Sequence, residues 1–149
     1  MSPVVVGEPQ TRPDWDEWLL GIALAVSRRA DCRRRQVGAV AMHNDTHRIL
    51  GTGYNGYPAG KPGCLSAGAC PRGQRSYEEV SASTTYVGSA TGSCDALHAE
   101  ENLMLELTRE ERANCTIGVT DEPCPNCRRV LAGSGVRRVI WPGGELTFD

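Results

Sequence analysis

Apolar positions along this chain follow two different periods. Trp15, Trp18, Leu19, Ile22 and Val26 recur at the three- and four-residue spacing of one helix face. Asp14, with Glu17 three residues on, has the form of a capping box in front of them. The pattern predicts an irregular lead-in over residues 1–13 and a first helix reaching about residue 28. Residues 37–42, VGAVAM, are an unbroken apolar run, as in a strand buried on both faces. Asn44-Asp45 predicts a turn, and residues 48–53 the returning strand of a hairpin.

Residues 54–94 break the pattern. Glycine, proline, serine and threonine are dense there and no period persists. A structureless loop of that length is uncommon inside a compact domain, so such a segment is either disordered or clipped together. From about residue 95 the helical period returns, with Leu103 and Leu107 on one face. Residues 115–120 predict a strand. Pro123 fits the first turn of the next helix, where a missing N–H does no harm. That helix carries Val130 and Leu131 and ends near Gly133 or Gly135. Residues 136–141 predict a last strand, with a short tail after it. The order is helix, hairpin, insertion, then α-β-α-β, which makes an α/β chain whose sheet has helices on its faces. No internal repeat is visible, and residues 1–149 read as one domain.

Composition narrows the function classes. Hydrophobic residues make up 40% and charged residues 23%, a soluble globular balance. No run approaches the ~18–20 apolar residues of a membrane span. The N-terminal MSPVVVGEPQ does not read as a secretory signal, so a cytoplasmic location is expected. The net charge of −2 gives no reason to expect duplex nucleic acid or a tRNA as partner. Seven cysteines, an odd number, cannot all pair within one chain. In a reducing compartment they are metal ligands or core residues more often than disulfides.

The candidate chemistry lies in DALHAEENLM and TDEPCPNCRRV. His98 and Glu100 stand at the head of one predicted helix, where both can approach one point. Cys124 and Cys127, three apart, point the same way in the first turn of the next. Facing helix N-termini supply partial positive charge that stabilises thiolates. One nitrogen and two sulfurs are three ligands, and tetrahedral zinc keeps a fourth position for water when it is catalytic. A structural zinc with its fourth ligand elsewhere, or simply buried cysteines, is the alternative reading. Cys115 begins a core strand and reads as a buried hydrophobe. Cys32, Cys64, Cys70 and Cys94 remain, four thiols for one tetrahedral structural zinc or, alternatively, free thiols in the insertion.

His-x-Glu followed by Pro-Cys-x-x-Cys is a known motif of zinc deaminases acting on nucleobases. RRQVGAV (34–40), GYNGYPAG (53–60), HAEEN (98–102), EPCPNC (122–127) and SGVRRVIW (134–141) extend the likeness. Over roughly residues 15–141 the chain resembles the deoxycytidylate (dCMP) deaminases of bacteria and phages, within the cytidine deaminase-like superfamily. The resemblance implies a three-layer α/β/α fold, a mixed sheet of four to five strands beginning with a hairpin, and hydrolysis of dCMP to dUMP and ammonia by zinc-activated water. It makes Glu100 the proton shuttle between that water, N3 of cytosine and the departing amine. Glu101, about 100° further round the helix, is expected to face solvent. Asn55 matches the family residue that holds the sugar hydroxyl and base edge, or is a turn residue. Tyr54 and Trp141 are candidates to wall the base, with a core role as the alternative for Trp141. Arg33, Arg34, Arg35 and Arg109 are candidates for the phosphate, since guanidinium groups bind phosphate oxygens bidentately, although such runs are more often solvated. Related members carry a second zinc held from places that Cys32, Cys64 and Cys94 occupy, with Cys70 as fourth. Only PGGELTFD follows Trp141, so a fifth strand should be absent or rudimentary, and the hexamer and allostery of some members are not implied. A homo-oligomer, dimer to hexamer, is still expected from an exposed sheet edge. CMP, a 5-substituted dCMP or cytidine as substrate, or a non-catalytic zinc- and nucleotide-binding module, are the other readings.

Overall fold

The computed structural model describes residues 11–32, 35–56 and 96–148. Helix α1 (Trp15–Ser27) leads into the hairpin β1 (Gly38–His43) and β2 (Ile49–Tyr54). After the insertion come α2 (Ala99–Glu106), α3 (Arg109–Ala113), β3 (Cys115–Val119), α4 (Pro125–Gly133), β4 (Arg138–Trp141) and β5 (Gly144–Thr147). The strands form one sheet in the order β2-β1-β3-β4-β5. Strands β3 and β4 are parallel, joined by the α4 crossover, and every other neighbouring pair is antiparallel.

Alternation along β1 assigns the two faces of the sheet. Ala39 and Ala41 join Leu103, Ile117, Leu131 and Val139 in the larger core cluster, the layer of α2 and α4. Val40 and Met42 join Leu19, Ala23 and Ile140 in the other, the layer of α1. The apolar run predicted as a doubly buried strand is one, and the three-layer α/β/α expectation holds. Two glycines set how close the layers come. A Cβ at Gly53 would lie 2.7 Å from the backbone N of Leu103, and one at Gly38 would lie 2.6 Å from that of Ser27. Both helices therefore sit directly on the hairpin.

Local chemistry fixes the boundaries and corrects three expectations. Helix α1 starts where expected, with the Asp14 carboxylate accepting the Glu17 N–H at 2.8 Å. The helix predicted from residue 95 is two helices. Leu107 is extended, and Thr108 restarts the chain with a complete capping box: its hydroxyl accepts the Glu111 N–H and the Glu111 carboxylate accepts the Thr108 N–H. Pro123 precedes the third long helix. Cys124 is the N-cap and Pro125 is the first helical residue. The tail after Trp141 is a true fifth strand, reached through Gly143 at φ 91°, a conformation that suits glycine.

Arg138 on β4 ties α1 to the sheet edge, donating to both carboxylate oxygens of Asp16 at 2.7 and 3.1 Å and to Glu145 at 3.0 Å. The Arg138 hydrogen bonds hold the Asp16 carboxyl below its usual range, against a smaller opposing effect of burial. A lowered carboxyl stabilises the fold above its unfolded pKa, and the benefit disappears as pH falls through the folded value. Asp16→Asn should therefore cost about 0.5–1 kcal/mol at pH 7, a magnitude kept small by partial exposure. In urea titrations the difference from wild type should shrink towards zero as pH falls through the lowered carboxyl's folded value.

Candidate metal and catalytic site

The site lies at the end of the sheet where β3 stops. Val119 there pairs with Ala39 at the start of β1, and Thr120 and Gly38 exchange two hydrogen bonds, one of them through the Thr120 hydroxyl. Helices α2 and α4 both begin at this edge. His98 is the N-cap of α2 and Cys124 that of α4, so each donor stands at a positive helix end. The Cys124 sulfur accepts the Cys127 N–H at 3.4 Å, which closes the first turn and aims both sulfurs the same way.

His98 Nδ1 lies 3.1 Å from Cys127 Sγ and 3.8 Å from Cys124 Sγ. The three donor atoms all fall within 4.8 Å of one another. Zinc–nitrogen and zinc–sulfur bonds in a tetrahedron give donor separations of about 3.3–3.8 Å. The observed 3.1 and 3.8 Å lie within a few tenths of an ångström of that range, and the nitrogen and sulfur donors are the types zinc prefers. Among the described residues this is the one His/Cys/Asp/Glu group that gathers in this way.

Glu100, in the first turn of α2, is only 4% exposed. Burial pushes its carboxyl above the ordinary range. Hydrogen bonding to its own backbone N–H, the charges of His98 and Arg35, and the Cys127 thiol pull it part of the way back. The carboxyl thus stands against the donor cluster. Cys127 is fully buried, and burial raises its thiol strongly, with Glu100 and Cys124 raising it further. A coordinated divalent cation reverses that preference, because a ligating thiol is held deprotonated.

The other residues singled out by sequence are placed unequally. Asn55 binds the lead-in to β1 at two points, with Oδ1 accepting from Val37 N at 2.8 Å and Nδ2 donating to Arg35 O at 2.9 Å. Each of these atoms retains a second hydrogen-bonding capacity. Arg35 pairs with Asp121 at 2.8 Å, which joins this lead-in to the loop before Cys124. Tyr54 is half-buried, with the Arg29 guanidinium 6.0 Å from its ring centre. Trp141 is half-buried, packing against the larger core cluster with the Arg128 guanidinium 6.0 Å from its ring centre. Arg109 does not share a helix with Glu100. It opens α3, which leads into the opposite end of β3, so the structure does not bring it to the cluster. Cys32 is half-exposed, and Arg33, Arg34, Cys64, Cys70 and Cys94 lie outside the described residues.

Two supporting residues escaped the sequence reading. Glu101 is not a solvated bystander, because its carboxylate accepts the His98 N–H at 2.9 Å and fixes the N-cap. Asn102 donates from Nδ2 to the Tyr54 carbonyl at 2.8 Å, anchoring the first turn of α2 to the end of β2. The run of Glu three residues after a polar N-cap was legible as a capping box for Glu101. Nothing local announces a partner 48 residues away for Asn102.

A family model described as the cytidine and deoxycytidylate deaminase zinc-binding region matches residues 13–142. The chain belongs to this family. A deoxycytidylate deaminase of Mycobacterium phage D29 is 46% identical over 132 residues, covering 89% of this chain and 97% of that protein. A deoxycytidylate deaminase of Schizosaccharomyces pombe is 34% identical over 131 residues, covering 87% of this chain but 37% of its own length. Among solved structures, the dCMP deaminase of cyanophage S-TIM5 in complex with dCMP and dUMP superposes with a TM-score of 0.59 at 24% identity. That superposition covers 89% of this chain and 83% of the other, and it carries the fold. The deaminase family is a zinc-binding one, and the His98, Cys124 and Cys127 group is what this chain offers a zinc ion.

Proposed function

We propose that the chain is a zinc-dependent dCMP deaminase, converting dCMP and water to dUMP and ammonia. One observation carries the reading: three zinc-type donors converge while a fourth side chain, the acidic Glu100, is buried beside them. The 46% identity to a phage deoxycytidylate deaminase supports dCMP in particular. Zinc, when bound by His98, Cys124 and Cys127, supplies a Lewis acid that brings the pKa of a water towards neutrality. Glu100, the buried carboxyl beside these donors, would be the proton carrier: it would hold the proton that passes from the water to N3 of cytosine, and then the one that passes from the hydroxyl left on C4 to the departing amino group, so that ammonia leaves as the C4 carbonyl forms. A carboxyl lifted by burial suits this alternation of base and acid. Asn55 holds the sugar hydroxyl and base edge with its remaining N–H and lone pair, and Tyr54 borders the base. Arg35, with Arg33 and Arg34, is assigned to the phosphate.

Ammonia release measured with dCMP, CMP, 5-methyl-dCMP, deoxycytidine and cytidine tests the substrate. dCMP should give the highest kcat/KM. If a free nucleoside is faster, the phosphate assignment falls, and if nothing is turned over, the enzyme reading falls.

Cys32, Cys64, Cys70 and Cys94 are assigned to a second, structural zinc. The described residues support this indirectly. Gly56 and Leu97, on either side of the insertion, form an antiparallel bridge with hydrogen bonds of 3.1 and 2.8 Å. Asp31 N donates to Asn55 O at 3.0 Å, which brings the chain next to Cys32 to the same place. Metal analysis of the purified protein should find two zinc ions per chain, and one would remove the second site. The remaining parts of the reading are a single deaminase domain over residues 1–149, a homo-oligomer and a cytoplasmic location. Among the described residues no helix is long and apolar enough to cross a membrane.

A further inference from the structure

Helix α1 buries Leu19, Ala23 and Ser27 against the sheet. Successive residues turn by 100°, so Glu17, Gly21, Leu24 and Arg28 fall within about 60° of one another, in a line on the side turned away from that buried face. All four are exposed, and Trp18 and Ala25 flank them. Three of the five exposed large hydrophobic residues among those described belong to this one helix, Leu24 being 55% exposed. The line has an order. It is acidic at its start, where Asp14 and Glu17 stand, apolar in the middle and basic at Arg28, which is still helical as the C-cap. Glu17 and Arg28 make no ion pair among the described residues.

From this self-complementary order we infer that α1 is the contact face between two copies of this chain, packed antiparallel about a twofold axis. In that arrangement residue 17 meets residue 28 of the second copy, and residue 21 meets residue 24. The contact is isologous, so each pairing occurs twice. A Cβ built at Gly21 meets nothing within 4 Å, so the backbone there is bare to solvent. Leu24 of one copy fills that gap on the other, and the helices approach at the short end of the 8–10 Å range. The acidic and basic ends, about 16 Å apart along the axis, then cross-pair. A parallel arrangement would set acid against acid, so the charges select the antiparallel one. One helix face buries less than the ~1,600 Å² of a standard interface, and the exposed charge pairs at its two ends make the contact salt-sensitive.

Sedimentation velocity on the full chain, from micromolar to hundreds of micromolar, tests this. Wild type should self-associate, less so in high salt. Leu24→Glu should weaken association about 100-fold, as loss of a central anchor does. Glu17→Arg and Arg28→Glu should each weaken it about 10-fold through like charges facing across the contact. An equimolar mixture of those two variants should recover to near the wild-type value, because their heterodimer restores opposite charges at both ends. All three positions are exposed, and circular dichroism checks that the fold is kept. This inference deepens the homo-oligomer reading above. A wild-type monomer at the highest concentration overturns both. An oligomer indifferent to Leu24→Glu, or a mixture no tighter than its parts, overturns the α1 face alone.

Discussion

Glu100→Gln should lower kcat by about a hundred- to ten-thousand-fold, the range expected for losing a general acid–base group. Zinc content should stay unchanged, because the carboxyl is not among the three gathered donors. The amide keeps the shape and a hydrogen bond but moves no proton. A second readout concerns the metal-free protein. Burial raises the Glu100 carboxyl, so the folded state holds its proton to higher pH than the unfolded state does. Stability therefore declines as pH rises from the unfolded pKa through the folded one, and glutamine removes that decline. Chelated wild type and variant should diverge in urea midpoint between acid and neutral pH, with the variant the more stable at neutral pH. A variant with wild-type turnover would eliminate the shuttle.

Cys127→Ser should cost the metal itself. Cys127 sits 3.1 Å from His98 Nδ1 and is fully buried, and among the described residues it is one of only three side chains in the gathered donor group. A hydroxyl is a harder and far weaker zinc donor than a thiolate. Competition with a chromogenic chelator should show an affinity loss greater than the ~10–100-fold of outer-shell changes. Deamination should vanish with it. Zinc bound at about a thousand times its Kd adds about 4 kcal/mol to folding, and the variant should forgo much of that. Its melting temperature should approach that of chelator-treated wild type. A serine variant that retained full zinc and activity would show that the ligand set is misassigned.

How much of this was legible in the sequence depended on how local its cause was. The doubly buried run of β1, the Asp14 cap and the spacing of Cys124 and Cys127 are short-range, and each formed as the pattern implied. The donor trio was readable because a helix N-terminus needs few residues to define it. The break between α2 and α3 was missed although Thr108 and Glu111 spell out a capping box, because Leu103 and Leu107 continue the apolar period across it. β5 was underrated because PGGELTFD looks like a tail until Arg138 and Trp141 provide a strand to pair with. The Arg35–Asp121 pair and the Asn102–Tyr54 bond join positions 86 and 48 residues apart, and no periodicity encodes such meetings.

The sheet order also bears on how the chain reaches this state. β3, α4, β4 and β5 follow one another closely, so residues 115–147 can assemble from near neighbours. The hairpin β1–β2 is equally local. Joining the two requires β1 to pair with β3, partners separated by the whole insertion. Such a meeting is delayed by loop-closure entropy, which grows only slowly with length but must be met before any contact rewards it. Each half of the sheet can form from near neighbours, so their docking should set the refolding rate, and halving the insertion should quicken that step only about threefold.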